Sequence, residues 1–191
     1  MTKERVNQLF DTEGAALAVC VGSWKAYNEC NDHALGSWYN GRFYINFDIL
    51  EGAEELRELL EAIGWNEEEM EETFIQDYES GLFSFSNCDY INAFDLADEY
   101  ADARDELLED EDKTRAIIEY LGSEDFHEII EEFDRVSFWP NMTGAEVMEE
   151  LTEESGDIPE HLRFYIDYEA MARDEILSGY MVETSAGVLM I

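Results

Sequence analysis

Apolar and polar positions divide the chain into short elements. Residues 15–21 form an apolar run ending at Gly22, and residues 42–49 alternate Phe43, Ile45, Phe47 and Ile49 with more polar positions. Both patterns predict strands. Leu56, Leu59, Leu60 and Ile63 recur at helical spacing and stop at Gly64, which predicts a helix over 54–63. A further strand is expected over 74–78, completing an α+β unit behind a polar lead, residues 1–13. The pattern is helical over 91–133 with a break near Gly122, and again over 144–154, where Gly156 and Pro159 follow. The aromatic run Phe164-Tyr165-Ile166-Asp167-Tyr168 is expected to pack the last domain, leaving Asp167 and Glu169 exposed. A hairpin over 180–184 and 188–191 closes the chain. The apolar residues 188–191 are read either as an edge for self-association or as the closure of the last sheet. A faint echo of residues 74–79 in 165–169 hints at duplication.

The expected fold class is therefore α+β, as a row of small domains: an α+β domain over 14–90, a helical domain over 91–133 and a second α+β domain over 134–191.

Charge changes the picture. The 191 residues carry 48 acidic and 11 basic side chains, a net charge of −37. Such a surface repels phosphate backbones and anionic lipid, so direct nucleic-acid or membrane-surface binding is not expected. An apolar content of 46% with 13% aromatics separates the chain from acidic disordered tails. Without a membrane-length apolar run or a leader-like N-terminus, it reads as soluble and cytoplasmic. Cys20, Cys30 and Cys88 lack metal-site spacing and read as reduced, mostly buried thiols.

The acids are concentrated. Residues 1–50 hold 6 acidic and 4 basic side chains, residues 51–135 hold 30 and 5, and residues 136–191 hold 12 and 2. Asp95, Asp98, Glu99, Asp102, Asp105, Glu106 and Glu109 fall on one helical face, with Phe94, Ala97, Ala101, Leu107 and Leu108 on the other side. Similar stripes occur at Glu51, Glu54, Glu55, Glu58 and Glu61, at Glu124, Asp125, Glu128, Glu131 and Glu132, and at Glu146, Glu149, Glu150, Glu153 and Glu154. One such stripe alone is an ordinary solvated face. Ordinary faces mix signs, however, and like charges at i, i+3 or i, i+4 cost roughly 0.2–0.5 kcal/mol per pair. With three lysines in the whole chain, the pattern opposes stability.

Its pitch resembles that of a polyanion. Seven carboxylates between positions 95 and 109 span about 21 Å of helix, roughly one charge per 3 Å, close to the ~3.4 Å phosphate spacing of one B-DNA strand. At the duplex density of one charge per ~1.7 Å, the net charge corresponds to about 63 Å of DNA. A compact sphere of this length would be only about 42 Å across. Matching DNA density thus calls for an elongated body.

Catalytic constellations are not evident. His33, His127 and His161 form no metal motif, since His127-Glu128-Ile129-Ile130-Glu131 lacks the second histidine of a zinc protease helix. Carboxylate pairs are too numerous to single one out. There is no phosphate loop or nucleophile elbow, and Asp110-Glu111-Asp112 is not followed by calcium-loop spacing. Neither enzymatic activity nor a cofactor or metal is expected.

Several motifs resemble the ArdA-type antirestriction proteins. Val21-Gly22, Tyr27-Asn28-Glu29 and Gly36-Ser37-Trp38 are similar to that family's N-terminal signature, and residues 74–79, with Asp77, Tyr78 and Glu79, to its first Asp-Tyr-Glu element. The C-terminal half of the pattern runs Ile158-Pro159-Glu160, Tyr165-Ile166-Asp167-Tyr168-Glu169-Ala170, Arg173-Asp174 and Leu177-Ser178-Gly179. The resemblance implies an elongated, curved DNA mimic of three small domains. Such a protein occupies the DNA groove of type I restriction-modification enzymes, is supplied by mobile elements, and dimerises through its C-terminal domain. Residues 136–156 lie where the family's antirestriction motif falls, and Phe138-Trp139-Pro140-Asn141 departs from it. In that picture the carboxylates replace phosphates against the enzyme's Lys and Arg, many modest contacts adding up without base readout. Asp77 and Glu79 suit either that role or a turn. Salt adaptation, an acidic chaperone for another basic partner and an unrecognised carboxylate hydrolase are the rival readings.

Overall fold

The computed structural model describes residues 1–31, 36–156 and 159–191. His33 and Ile158 lie outside them. The chain is a mixture of helices and two small antiparallel sheets, and it divides into two compact units, Met1–Glu106 and Leu107–Ile191.

In the first unit, helix α1 (Lys3–Leu9) occupies what read as a polar lead. Thr2 caps it by accepting from Arg5 N, and Val6 and Leu9 are buried. Two apolar residues one turn apart suffice to dock so short a helix, but they are too few to register as a periodic pattern. Strand β1 (Leu17–Ser23) is buried along its whole length between β2 (Ile45–Asn46) and β3 (Thr73–Ser80). The strand expected over 42–49 shrinks to two residues. The Asn46 side chain accepts from Asp48 N at 3.0 Å and starts a 3-10 turn, Phe47–Ile49, diverting the backbone from the ladder. Helix α2 (Trp24–Glu29) follows β1, and α3 (Ala53–Ala62) and α4 (Glu67–Met70) precede β3. Helix α5 (Ala93–Glu109) then presses Ala93, Leu96, Ala97 and Tyr100 into the core.

In the second unit, α6 (Glu111–Leu121) and α7 (Phe126–Phe133) bury Ile117, Phe126 and Ile129. Then come β4 (Ser137–Pro140), α8 (Gly144–Glu154), a 3-10 turn (Glu160–Tyr165), α9 (Tyr168–Ser178), β5 (Met181–Glu183) and β6 (Gly187–Met190). Val147, Ala172, Met181 and Val188 form a small core, with Trp139, Met142, Met148, Leu151 and Met190 packed around it.

Several expectations are corrected here. The sheet order is β4-β6-β5, so residues 188–190 form the central strand and close the sheet, with Val188 and Leu189 buried. The edge includes Pro140 instead, as suits a residue without an N–H. Phe164 and Tyr165 do not pack the unit: they are 92% and 85% exposed, on a 3-10 turn outside the small core, and Ile166 and Tyr168 are half-buried. The echo between 74–79 and 165–169 has no structural counterpart, since the first is strand and the second leaves a 3-10 turn to begin α9. Of the cysteines, Cys20 is buried, Cys88 half-buried and Cys30 exposed. Cys30 ends α2 in the left-handed region, which turns its side chain out.

Candidate acidic interface

The site is built on α5. Its inward positions 93, 96, 97, 100 and 107 follow helical spacing and are buried, which turns Asp95, Asp98, Glu99, Asp102, Asp105, Glu106 and Glu109 outward, all exposed. Phe94, Ala101 and Leu108 are half-buried at the margins.

Polar bonds fix the helix about its axis. The buried Tyr100 donates its hydroxyl to Asp48 Oδ1 at 2.8 Å, and Asp48 also accepts from Ala16 N at 2.5 Å and Leu17 N at 3.2 Å. Burial and the neighbouring Asp48 carboxylate push the Tyr100 hydroxyl far above its ordinary pKa, so it remains a donor. Arg104 Nη1 donates to Phe47 O at 3.0 Å and to Leu50 O. It therefore spends its donors on the 3-10 turn while its Nε lies 3.6 Å from Asp105. Asp98 Oδ1 accepts from Ala53 N at 2.6 Å. The sequence reading missed Asp48, Tyr100 and Arg104. Tyr100 was legible, because it falls on the same helical register as Leu96, Ala97 and Ala93.

The other stripes are more mixed. On α3, Glu54 and Glu58 are exposed, whereas Glu55 is half-buried and takes Arg5 Nε at 2.7 Å and Arg5 Nη2 at 2.9 Å. Burial alone would raise the Glu55 pKa, but the Arg5 bonds and Glu51 N outweigh it and hold it low. The hydrogen bond to Glu55 correspondingly raises Arg5. On α7, Glu128 and Glu131 are exposed and Glu132 is half-buried, paired with Arg135 at 2.8 Å. Asp125, expected on that stripe, is buried as the N-cap, accepting from His127 N at 3.1 Å and Glu128 N at 3.4 Å. On α8, Glu149 and Glu150 are exposed, Glu153 meets Arg163, and Glu146 closes a capping box with Thr143. The Thr143 N–H and hydroxyl hold Glu146 below its ordinary pKa.

Several basic side chains elsewhere are also engaged. Lys25 lies 2.8 Å from Glu29 and 3.3 Å from Glu68, and Arg115 pairs with Glu111. Arg57 and Lys113 sit over the rings of Phe94 and Phe133 at 4.9 and 4.1 Å. Among the described residues, Arg104 is the one cation between Asp95 and Glu106, and it faces the backbone.

The motif residues scatter over both units. Gly22 is buried where a Cβ would come within 2.5 Å of the Phe74 ring, and Gly36 has φ +84° beside Cys20. Tyr27, Asn28 and Trp38 are exposed. Asp77 and Glu79 are exposed on β3, where Asp77 accepts the Tyr44 hydroxyl at 2.5 Å and raises its pKa to about 12. Tyr78 packs edge-on against Phe85 and accepts from Phe85 N at 3.3 Å. In the second unit, Asp167 caps α9 by accepting from Ala170 N at 2.9 Å, and Glu169, Arg173 and Asp174 are exposed. Among the described residues, no three His, Cys, Asp or Glu side chains are grouped to hold a metal ion. No described helix is long and apolar enough to cross a membrane.

With a helix that turns its carboxylates to solvent and its one arginine inward, the arrangement can receive a basic surface. Residues 19–190 match the ArdA antirestriction protein family, and the chain belongs to it. Comparison with curated proteins finds no match.

Proposed function

We propose that this antirestriction protein acts as a DNA mimic, occupying the DNA-binding groove of type I restriction-modification enzymes and blocking restriction together with modification. The observation that carries this reading is the α5 row. Asp95, Glu99, Asp102, Asp105, Glu106 and Glu109 are exposed along about 21 Å of helix, roughly one carboxylate per 4 Å against the ~3.4 Å phosphate spacing of one strand, with no basic side chain turned outward among them. Such contacts give affinity without base specificity, so one inhibitor serves against enzymes with different targets. The carboxylates of α3, α7 and α8 extend the same role.

On this reading the protein binds enzyme and not nucleic acid, carries out no catalysis of its own, needs no cofactor and works in the cytoplasm where incoming DNA is met. A homodimer formed through the C-terminal domain is part of the proposal. It is supported by the exposure of Phe164, Tyr165, Leu177 and Tyr180, since apolar side chains left this open mark association surfaces.

The test is restriction itself. Cells with a type I system that express the protein should plate unmodified phage at the efficiency of restriction-deficient cells, and purified methyltransferase should lose activity as the protein is added. Full restriction with the protein present and folded would reject the proposal. Salt adaptation predicts no effect on either readout.

A further inference from the structure

Helix α3 begins without a cap of its own. Its N-cap residue is Gly52, at φ +115°, and no side chain within the helix's own first turn accepts the early N–H groups. The acceptor comes from another helix: Asp98 Oδ1, on α5, lies 2.6 Å from Ala53 N. Gly52 makes room for it, because a Cβ there would stand 2.6 Å from that same oxygen. A carboxylate at a helix N-terminus satisfies a donor that would otherwise lack a partner and meets the positive end of the helix dipole.

Asp98 thus differs from its neighbours in the acidic row. Asp95 and Asp102, one turn to either side, extend into solvent. Asp98 is tied down, and after Tyr100 on Asp48 and Arg104 on Phe47 O and Leu50 O it is the third α5 side chain bonded to residues 47–53. The three side chains fall along the helix at positions 98, 100 and 104. A helix held at three such points keeps its azimuth, and with it the direction in which the free carboxylates face.

We propose that Asp98 is a positioning residue: it fastens the start of α3 to α5 and so sets the α5 carboxylate row for its basic partner, instead of standing in for a phosphate itself. The inference rests on the mimic reading of that row and adds a division of labour within it.

The test titrates full-length variants into a type I methyltransferase core bound to labelled duplex, with near-ultraviolet circular dichroism establishing that each is folded. Asp98→Ala should raise the concentration for half-displacement about tenfold, the scale for losing a charged hydrogen bond. Asp95→Ala and Asp102→Ala should raise it less than about threefold, as exposed charges do. Asp98→Asn keeps an oxygen that accepts from Ala53 N, and should stay within about threefold of the parent. Gly52→Ala keeps the charge but pushes Asp98 away, and should match Asp98→Ala. Equal losses for Asp98→Asn and Asp98→Ala would make the charge itself the contact and overturn the proposal. So would a loss for Asp98→Ala no larger than for Asp95→Ala, or parental displacement by Gly52→Ala. A fourfold variant, D95N/D102N/D105N/E106Q, reports on the underlying reading. If it displaces DNA as well as the parent, the α5 row is not the contact surface, and the mimic reading fails along with the role given to Asp98.

Discussion

Helices α5 and α9 divide their side chains in opposite ways. Helix α5 buries Ala93, Leu96, Ala97, Tyr100 and Leu107 and gives solvent its acids. Helix α9 buries only Ala172 and leaves Leu177 79% and Ile176 39% exposed, while Phe164, Tyr165 and Tyr180 stand open before and after it. The first is an amphipathic helix whose outer face is too uniformly charged to serve stability. The second exposes Glu169, Arg173 and Asp174 beside Ile176 and Leu177, so apolar side chains stand open among charged ones. On the proposed reading, the α5 face is the one offered to a basic partner and the open apolar side chains around α9 contribute to self-association.

The largest effect should come from removing the anchor of α5. Tyr100→Ala opens a cavity in the first unit and should destabilise the protein by about 3–5 kcal/mol in urea unfolding. Tyr100→Phe loses only the bond to Asp48 and should cost roughly 1–2 kcal/mol. A loss below that for the alanine variant would mean that α5 is not docked through this side chain.

The exposed apolar side chains of α9 and of the 3-10 turn before it should behave differently. Replacing Phe164, Tyr165 and Leu177 together with Ser should change monomer stability by no more than about 0.5 kcal/mol per site, as for exposed positions. Sedimentation should nevertheless show weaker self-association. Unchanged association would move the dimer contact elsewhere.

The smallest effect is a tether within the second unit. Glu119 Oε2 accepts from Ser185 N at 2.9 Å and from the Ser185 hydroxyl at 2.7 Å, and these bonds hold the Glu119 pKa below its ordinary value. Since the folded pKa is depressed, the stabilisation is present above the unfolded value of about 4.3 and is lost as pH falls through the folded one. The protection factor of the Ser185 amide, taken against its intrinsic exchange rate at each pH, should therefore be higher at neutral pH and fall on acidification. Glu119→Gln should remove that pH step.

How much of this was legible in the sequence depended on whether one face of an element was both apolar and periodic. Helix α8 appeared over 144–154 as expected, with Thr143 and Glu146 forming its capping box. The outward face of α5 and the helix breaks at Gly122 and Gly156 were legible for the same reason. Strand β4 was not, because four residues ending in Pro140 carry no clear alternation. Helix α9 was hidden by its own exposed apolar side chains, which blur the contrast that periodicity needs. The aromatic run before it misled outright, since hydrophobicity alone does not say whether the covering surface belongs to the same chain. The bonds that tie α5 to residues 47–53 join positions some 50 apart in the chain, and only the structure brings them together.

Whether the carboxylates stand where phosphates would is decided by a competition assay. The protein is titrated into a type I methyltransferase core bound to labelled target duplex, at two salt concentrations. Near-stoichiometric displacement that weakens as salt rises is the predicted result. An active enzyme that keeps its DNA at every concentration of folded protein would mean that the carboxylates do not replace phosphates.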